Sequence, residues 1–386
     1  MEFDLSWILL GVPLVFALGW LASRLDLRQL RIENQRAPKA YFKGLNYLLN
    51  EQQDQAIDAF IEAVQKDPDT SELHFALGNL FRRRGEYERA VRVHEHLLSR
   101  ADLSQSDRDR AQHALAQDFL KAGLLDRAED ALRKLEGTRY QEQAWLTLLS
   151  LHERARDWPK AATVAGRLQA SGQADFSARQ AHYLCEQAAE ALNKKHDAQA
   201  AQQLLLQAIE QTPSAARPRI QLAGLLAGRD DWSGAFEQLM SLEHHAPQAV
   251  PLVASELVRI GHASGQLAQA RQLLERSYAA TPSVDVADAL VQAEVTAGTP
   301  LHDARAGYVR HMAQEPSLIA AARWLSQEAF AQEGAHPVVQ RSVEHAARPL
   351  ARYRCAACGF EAQGYFWQCP GCQAWESFPP RRIEES

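Results

Sequence analysis

Four of the five cysteines lie close together near the end of the chain, in the segment CAACGFEAQGYFWQCPGC. Cys355 and Cys358 form one C-x2-C pair, and Cys369 and Cys372 form a second pair after ten intervening residues. Two residues between paired cysteines let both sulfurs point inward from one tight turn, and two such turns build the tetrahedral cage that zinc and ferrous iron prefer. The spacing therefore predicts one iron or zinc ion held by these four cysteines.

The two pairs are similar to the metal-binding turns of rubredoxins, whose pattern is C-x-x-C-G followed by C-P-x-C. Gly359 and Gly371 are expected to take a positive φ, so that backbone N–H groups turn toward the sulfurs, and Pro370 stiffens the second turn. The interval between the pairs is only ten residues, and Gln373 stands where rubredoxins usually have glycine. The resemblance therefore covers the metal site and not a complete rubredoxin domain.

Two disulfides are the alternative for paired cysteines, and they would require an oxidising compartment. Cys185 is the one cysteine outside the cluster, and the chain has no N-x-S/T sequon. These features favour a reducing compartment and a metal site. We expect Cys185 to be a small buried hydrophobic side chain, because no recognisable base motif accompanies it.

The rest of the sequence shows no pattern that is typical of an enzyme active site. It has no Walker A loop, dinucleotide-binding fingerprint, G-x-S-x-G elbow or H-E-x-x-H motif. A net charge of −6 and a pI near 6.2 give no basic footprint for nucleic acid. We therefore predict a protein that is not an enzyme and does not bind nucleic acid. Five histidines lie in segments that partly resemble a metal-binding motif but lack its spacing. They are therefore predicted to lie on helix surfaces: His94, His96, His152, His244 and His245.

Residues 1–23 are predicted to form a transmembrane anchor. Nineteen consecutive uncharged residues separate Asp4 from Arg24, and as a helix they would extend about 28 Å, enough to cross a bilayer. A cleaved signal peptide is the alternative, but the acidic residues before the apolar run are the reverse of the basic start that signal peptides carry.

A basic juxtamembrane segment, residues 24–36, follows the apolar run. By the positive-inside rule this order of charges places the N-terminus outside and the bulk of the chain in the cytoplasm. Leu25 and Ile32 are seven residues apart, which permits a short homodimer seam within the segment.

From residue 37 onward, small, aromatic and proline residues recur with a period near 34, the length of a tetratricopeptide repeat. Ala56 and Ala90 are 34 residues apart, and Gly44 and Phe60 fill matching positions of the first unit. Small residues let the two helices of a hairpin approach, and aromatics fill the gap between hairpins. We predict an all-α tetratricopeptide-repeat superhelix (α-solenoid) of about eight units over residues 37–332. Alanines mark the later units at Ala128, Ala161, Ala201, Ala235, Ala270 and Ala304.

The first helix of each hairpin lines the concave face of such arrays, where partner peptides usually lie. In the second and third units this face would carry a modest basic groove, a candidate seat for an acidic protein segment. A solvated charged face is the alternative. The groove residues are Asn79, Arg82, Arg83, Arg110, His113, Gln117 and Lys121.

Two further segments are predicted after the solenoid. Residues 333–349 form a linker helix, with a helical core over 338–347 that Pro349 closes. Residues 350–380 form a zinc-ribbon-like module that is too small to fold on apolar burial alone, so a metal ion should supply much of its stability. Its aromatic surface exceeds what so small a core can hide, and we expect part of it to pack against the solenoid or a partner. These aromatics are Tyr353, Phe360, Tyr365, Phe366, Trp367, Trp375 and Phe378.

A single N-terminal membrane helix, a cytoplasmic tetratricopeptide solenoid and a terminal rubredoxin-type four-cysteine site, in this order, resemble the lipopolysaccharide assembly protein B family. The resemblance covers nearly the whole chain. It implies an inner-membrane adaptor of Gram-negative bacteria, with a periplasmic N-terminus and cysteine turns that function requires. It further implies that the adaptor works with the membrane AAA+ protease FtsH to promote degradation of the deacetylase that commits precursors to lipid A, and that it organises other lipopolysaccharide synthesis proteins.

Two other classes of function stay open at this point. One is a membrane-tethered redox protein that uses an iron tetrathiolate site, which reversible redox cycling of bound iron would favour. The other is a general tetratricopeptide assembly chaperone with an unrelated client.

Overall fold

The protein is predominantly helical in the computed structural model, which describes residues 16, 20, 39–50, 52–66, 70–172, 174–326 and 336–385. The chain divides into two compact units, Met1–Leu151 and His152–Ser386. Within the described ranges, no helix has the length and apolar character needed to cross a bilayer. The predicted anchor and basic segment, residues 1–36, lie outside the described residues apart from Phe16 and Trp20.

Helices of the first unit pair consecutively along the chain. The first pairs with the second, the third with the fourth and the fifth with the sixth. Because short connections join the partners, they run antiparallel as hairpins. The helices are α1 (Lys39–Leu49), α2 (Gln53–Lys66), α3 (Ser71–Arg83), α4 (Tyr87–Ser99), α5 (Gln105–Lys121), α6 (Leu125–Arg133) and α7 (Gln141–Ala155), whose last turn belongs to the second unit.

The second unit continues the same arrangement, with α9 packed on α10, α11 on α12, α14 on α15 and α16 on α18. A one-turn 3-10 helix, Pro247–Ala249, precedes α14. The helices are α8 (Trp158–Ala170), α9 (Ser177–Lys195), α10 (Ala198–Gln211), α11 (Ala216–Ala227), α12 (Trp232–Met240), α13 (Leu242–His245), α14 (Val250–Ala263), α15 (Leu267–Ala280), α16 (Val284–Thr296), α17 (Leu301–Ala304), α18 (Ala306–Gln314), α19 (Leu318–Ser326) and α20 (His336–Leu350).

The alanines that mark the repeats are buried. A Cβ atom placed on Gly261 would lie only 2.9 Å from Ala270 Cβ, which shows how closely α14 and α15 approach. The expected role of small residues in the hairpins is therefore confirmed, because larger side chains would force the helices apart. Each of the eight alanines is at most 2% exposed: Ala56, Ala90, Ala128, Ala161, Ala201, Ala235, Ala270 and Ala304.

The turn inside most hairpins contains one residue in the left-handed region of φ. Glycine, which takes this conformation without steric cost, fills the turn at Gly85, Gly123, Gly265 and Gly298, with φ between +75° and +99°. Other residues fill it at Arg156, His196 and Asp230, with φ between +53° and +63°. At Arg156 and His196 the turn contains no glycine, and at Asp230 the nearby Gly228 has a φ of −66°, although the backbone makes the same reversal.

An aspartate directly follows each of these three non-glycine residues and caps the next helix. The side chains of Asp157, Asp197 and Asp231 accept the backbone N–H three residues further on, at 3.3, 2.9 and 2.9 Å. A left-handed non-glycine residue costs about 1–2 kcal/mol, and an aspartate N-cap contributes about 1 kcal/mol. The cap therefore offsets much of the strain in the turn before it.

A buried charge network joins three helices of the first unit. Asp118 on α5 is fully buried and accepts a hydrogen bond from Arg82 Nη1 on α3 at 2.8 Å. The other carboxylate oxygen lies 2.5 Å from Nδ1 of His94 on α4. His94 is fully buried because Gly78 leaves room for its ring, and a Cβ at that glycine would lie 2.5 Å from the imidazole.

The expectation of surface histidines is therefore wrong for His94. It is also wrong for His152, which is buried, whereas His96, His244 and His245 are exposed. Spacing in the sequence does not show whether a histidine lies on a solvated helix face or at a contact between helices. At such a contact, a glycine on the facing helix can leave space for the ring, as Gly78 does for His94.

The C-terminal segments follow α19. Helix α20 packs against α19 and runs through Pro349 to Leu350, one residue beyond the predicted closure. Ala351 N–H still bonds to Ala347 O at 3.0 Å, so the proline removes one hydrogen bond without ending the last turn. The module then contains strands β1 (Tyr353–Arg354) and β2 (Glu361–Ala362), which pair antiparallel, and a final 3-10 turn, Ile383–Glu385.

We expect Asp118→Ala to lower the free energy of unfolding by about 3 kcal/mol, because it leaves the half-buried Arg82 and the buried His94 without their shared partner. Asp102→Ala is the matched control: its carboxylate pairs with Arg100 but is 66% exposed, so the loss should stay below about 1 kcal/mol. Urea unfolding of the full chain, followed by its helical circular dichroism, measures both. Equal losses would contradict the assignment of a stabilising buried network.

Candidate metal centre

The four predicted cysteine sulfurs lie in one cluster, all within 4.8 Å of one another. Cys355 Sγ is 3.8 Å from Cys372 Sγ, and Cys358 Sγ is 3.7 Å from Cys369 Sγ. A tetrahedral site with metal–sulfur bonds of about 2.3 Å has sulfur–sulfur edges of about 3.8 Å. The sulfurs are therefore spaced for a four-coordinate ion such as zinc or ferrous iron.

Each cysteine turn has one residue in the left-handed region, directly after its second cysteine. Gly359 has a φ of +77° and its N–H bonds to Cys355 O, and Gln373 has a φ of +62° and its N–H bonds to Cys369 O, both at 2.9 Å. The expected positive φ is confirmed for Gly359 and wrong for Gly371. The chain reverses after the pair, so the position that closes the turn is the one that Gln373 occupies.

The surroundings of the sulfurs favour metal-binding thiolates. The Ser377 hydroxyl and the backbone N–H groups of Cys358 and Ala357 lower the pKa of the Cys355 thiol to about 6. At Cys358 the backbone N–H of Phe360 acts to lower the pKa, but desolvation and hydrogen bonds with the other sulfurs outweigh it and raise the pKa to about 12. Ionisation of Cys355 is therefore favoured while that of Cys358 is disfavoured, and a divalent cation would favour the thiolate form of both.

The module has a small core of its own, which continues into the repeats. Tyr353, Cys355, Cys369 and Phe378 are buried together. Leu252 on α14 packs against this core and also against the core of the neighbouring repeat helices. The module is thus attached to the hairpins through shared apolar surface.

Trp375 inserts among side chains of the second unit. Its ring stacks on His182 with centroids 4.8 Å apart, and it meets Trp158 and Tyr183 edge-on at 6.2 and 5.9 Å. Its indole Nε1–H donates to Glu153 Oε1 at 2.9 Å. The expectation that surplus aromatics pack outside the module is confirmed, and the partner surface is the repeat array.

His182 lies at the centre of this docking surface. It is 2% exposed, its Nε2 is 3.1 Å from Glu376 Oε1, and Trp367 also contacts its ring at 5.7 Å between centroids. Burial lowers the pKa of His182, and the hydrogen bond to Glu376 opposes that shift. Sequence reasoning missed both residues because neither belongs to a motif, and nothing in the local pattern of α9 points to a module about two hundred positions later.

The predicted basic groove lies in the first unit, and several of its residues have intramolecular partners. Arg82 binds Asp118 and also donates to Asn79 Oδ1 at 2.6 Å. Arg110 Nη1 donates to Glu72 at 2.6 Å. The ring of His113 stacks on Tyr140 and lies 3.4 Å from Gln117 Nε2, while Arg83 and Lys121 are exposed. The groove's role in partner binding stays a prediction.

Cys185, on α9, is not part of the sulfur cluster. It is fully buried among alanine and leucine side chains of α9 to α11. Burial raises the pKa of its thiol to about 12, which disfavours the reactive thiolate. The expectation of a small buried hydrophobic side chain is confirmed.

Comparison with known proteins identifies both the module and the whole chain. Residues 353–380 match a family model described as the rubredoxin metal binding domain. The chain is 30% identical over 387 residues to lipopolysaccharide assembly protein B of Escherichia coli (strain K12), covering 98% of each chain. It is 24% identical over 393 residues to the protein of the same name from Haemophilus influenzae, again covering 98% of each.

Solved structures align with the chain at lower sequence identity. A structure of Naa15/Naa10 bound to HypK-THB aligns with a TM-score of 0.41 and 15% identity, covering 81% of this chain and 47% of that one. Yeast Tom70 aligns with a TM-score of 0.36 and 13% identity, covering 82% and 77%. Scores in this range assign no function.

We expect Gly359→Ala to destabilise the metal-loaded module by about 1–2 kcal/mol, because alanine must take the left-handed conformation. Gln373→Gly should have no such cost and should stabilise slightly, since the relief of strain exceeds the loss of the bond from Gln373 Nε2 to Pro370 O. The rate of metal release to a chelator from the full chain measures both. Equal acceleration by the two changes would contradict the assignment of Gln373 as the strained position.

Docking of the module should weaken in mild acid. Because burial lowers the pKa of His182, the docked state favours neutral imidazole, so the docking free energy is complete above the ordinary histidine pKa of about 6.5. It falls as the pH drops below that value, by at most about 1.4 kcal/mol per pH unit.

Amide exchange of residues 365–378 between pH 7.5 and 5 measures this effect, with metal content determined at each pH. His182→Gln should flatten the dependence, and His245→Gln, which changes an exposed histidine, should leave it unchanged. An unaltered pH profile in His182→Gln would show that another group titrates.

Proposed function

The chain belongs to the lipopolysaccharide assembly protein B family, and from this membership we propose that it is an inner-membrane adaptor of lipopolysaccharide synthesis. In this role it presents the deacetylase that commits precursors to lipid A to the membrane AAA+ protease FtsH, so that the enzyme is degraded. It also organises lipopolysaccharide synthesis proteins at the membrane.

The observation that carries the proposal is the extent of the relationship, which covers 98% of both chains and includes the matched metal module. Helical hairpins bind partners through extended surfaces and need no catalytic constellation. The docked module fits this role, because it fixes a second, non-helical surface on the same array.

The four cysteines would hold one iron or zinc ion. When bound, that ion supplies the cross-links that a segment of this size needs in order to fold. Side chains of the protein attach the folded module to the repeats: Trp375 and Trp367 bury apolar surface against the repeats, and Leu252 packs against both cores. The contribution of the centre to function is therefore to shape and place a surface.

The hairpins would continue as a tetratricopeptide solenoid, with the first helix of each pair on the concave face. In the second and third hairpins, the exposed Arg83 and Lys121 are the groove residues best placed to meet an acidic client segment. Residues 1–23 would anchor the array in the inner membrane with the N-terminus in the periplasm. Tethering raises the local concentration of the array near a membrane protease.

The proposal is tested by the half-life of the deacetylase in cells that lack this chain. We expect the half-life to lengthen several-fold and to be restored by the full chain, but not by residues 24–386 or by Cys358→Ser. Trp375→Ala should restore it poorly, because it removes the docking contact, whereas Phe366→Ala, a change at an aromatic side chain that is 40% exposed, should restore it fully.

An unchanged half-life in the deletion strain would refute the adaptor role. Loading the purified chain with zinc or iron separates this role from electron transfer. Zinc does not change oxidation state, so equal support of deacetylase turnover by both forms would exclude a redox requirement.

A further inference from the structure

The last described residues of the chain reach back onto two repeat helices. Glu385 Oε1 accepts the backbone N–H of Val284, the first residue of α16, at 2.5 Å. Glu384 accepts the backbone N–H of Leu318, the first residue of α19, and the Ser317 hydroxyl at 2.6 Å. Carboxylates at these positions satisfy N–H groups that have no partner inside the helix and interact favourably with its dipole. The tail, Arg381–Glu385, therefore caps both helices.

The same tail is bound to the metal module. Ile383 N–H donates to Arg352 O at 2.9 Å, and the Arg382 guanidinium lies 4.2 Å from the centre of the Tyr353 ring. Arg382 also donates to both oxygens of Asp285, in the first turn of α16, at 2.7 and 3.1 Å. The tail is thus held between β1 of the module and the start of α16.

The anchor of the tail and the sulfur cluster share one small core. Tyr353 is buried with Cys355 and Cys369, and Phe378, in the same core, leads into the tail through two prolines. Proline fixes φ, so the position of Phe378 largely sets where the tail begins. Very few residues therefore separate the cysteine turns from the two capping glutamates. If the cysteine turns become disordered, we expect the positions of these glutamates to change as well.

We propose that the tail is a latch through which metal occupancy of the four-cysteine cluster controls the order of the first turns of α16 and α19. With the cluster loaded, the folded module holds both carboxylates on the helices. When the ion is lost, the module loosens, the tail leaves, and both helices lose these carboxylates together, so that only the Ser283 and Ser317 side chains still cap their first turns. The proposal rests on the metal-holding role given above and goes beyond it by naming the repeats as the part that responds.

Hydrogen exchange of the full chain in detergent tests this latch, with metal content measured on the same samples. After chelation, we expect the amides of residues 284–287 and 318–321 to exchange roughly 3- to 30-fold faster, the range that loss of a cap corresponds to. Helix α3 (Ser71–Arg83), in the first unit, should not change.

A double change, Glu384→Ala with Glu385→Ala, separates the latch from general loosening of the module. With metal bound, it should accelerate exchange at the same two turns, and chelation should then add little. Glu361→Ala is the matched control, because this module glutamate pairs with Arg354 on the neighbouring strand. It should behave as the wild type. If the double change prevents folding, the single changes Glu384→Gln and Glu385→Gln should each affect only their own helix.

Unchanged exchange at both turns after chelation, with the metal shown to be gone, would overturn the latch. An equally large chelation effect in the double variant would also overturn it, because coupling would then bypass the tail. A chain that holds no metal as purified, and that takes up neither zinc nor iron, would instead refute the metal-holding role on which the latch depends.

Discussion

A module of about thirty residues cannot bury enough apolar surface to hold itself together, and this limit shapes the whole C-terminal half of the protein. The structure meets it in three ways. Four cysteines are placed for a cross-linking ion, aromatic side chains pack outside the module on His182 and its neighbours, and the tail caps two helices of the array. Any one of these three features alone would leave the module only marginally stable. Together they join the module to the hairpins as one structure, which is what a scaffold that presents two kinds of surface requires.

The sequence predicted the hairpins well where their determinants are local. Buried alanines and glycine turns recur with a period that is visible without a structure, and Ala56 and Ala90 occupy equivalent positions. The hairpins that turn at Arg156, His196 and Asp230 are harder to recognise, because the left-handed residue in each turn is not glycine. At His196 the left-handed residue is followed by the capping Asp197, and this pair of features replaces the usual signal. A search for an N-cap aspartate after a polar turn residue would have found these units more securely.

In the candidate site, too, the features fixed by local sequence could be predicted and those fixed by distant contacts could not. The four sulfur ligands could be predicted because two residues between cysteines fix their geometry within one turn. The docking surface could not, because His182 meets Glu376 across 194 positions and Trp375 meets Glu153 across 222. No composition or periodicity encodes such a pairing. The strained Gln373 and the buried His94 show a related limit, since in each case the residue type contradicts the usual preference of its position. The space at Gly78 and the Asp118 carboxylate explain His94, and both are distant from it in sequence.

The capping of α16 and α19 by the end of the chain also has a consequence for biosynthesis. A ribosome produces these helices about sixty to a hundred residues before the glutamates that complete them, so both helices leave the exit tunnel with only their serine caps. The glutamates can reach them only after the tail has emerged and the cysteine turns have closed. A chain cut or terminated shortly after Phe378 would keep all four sulfur ligands, and yet α16 and α19 would lack the carboxylates that the tail supplies to their first turns.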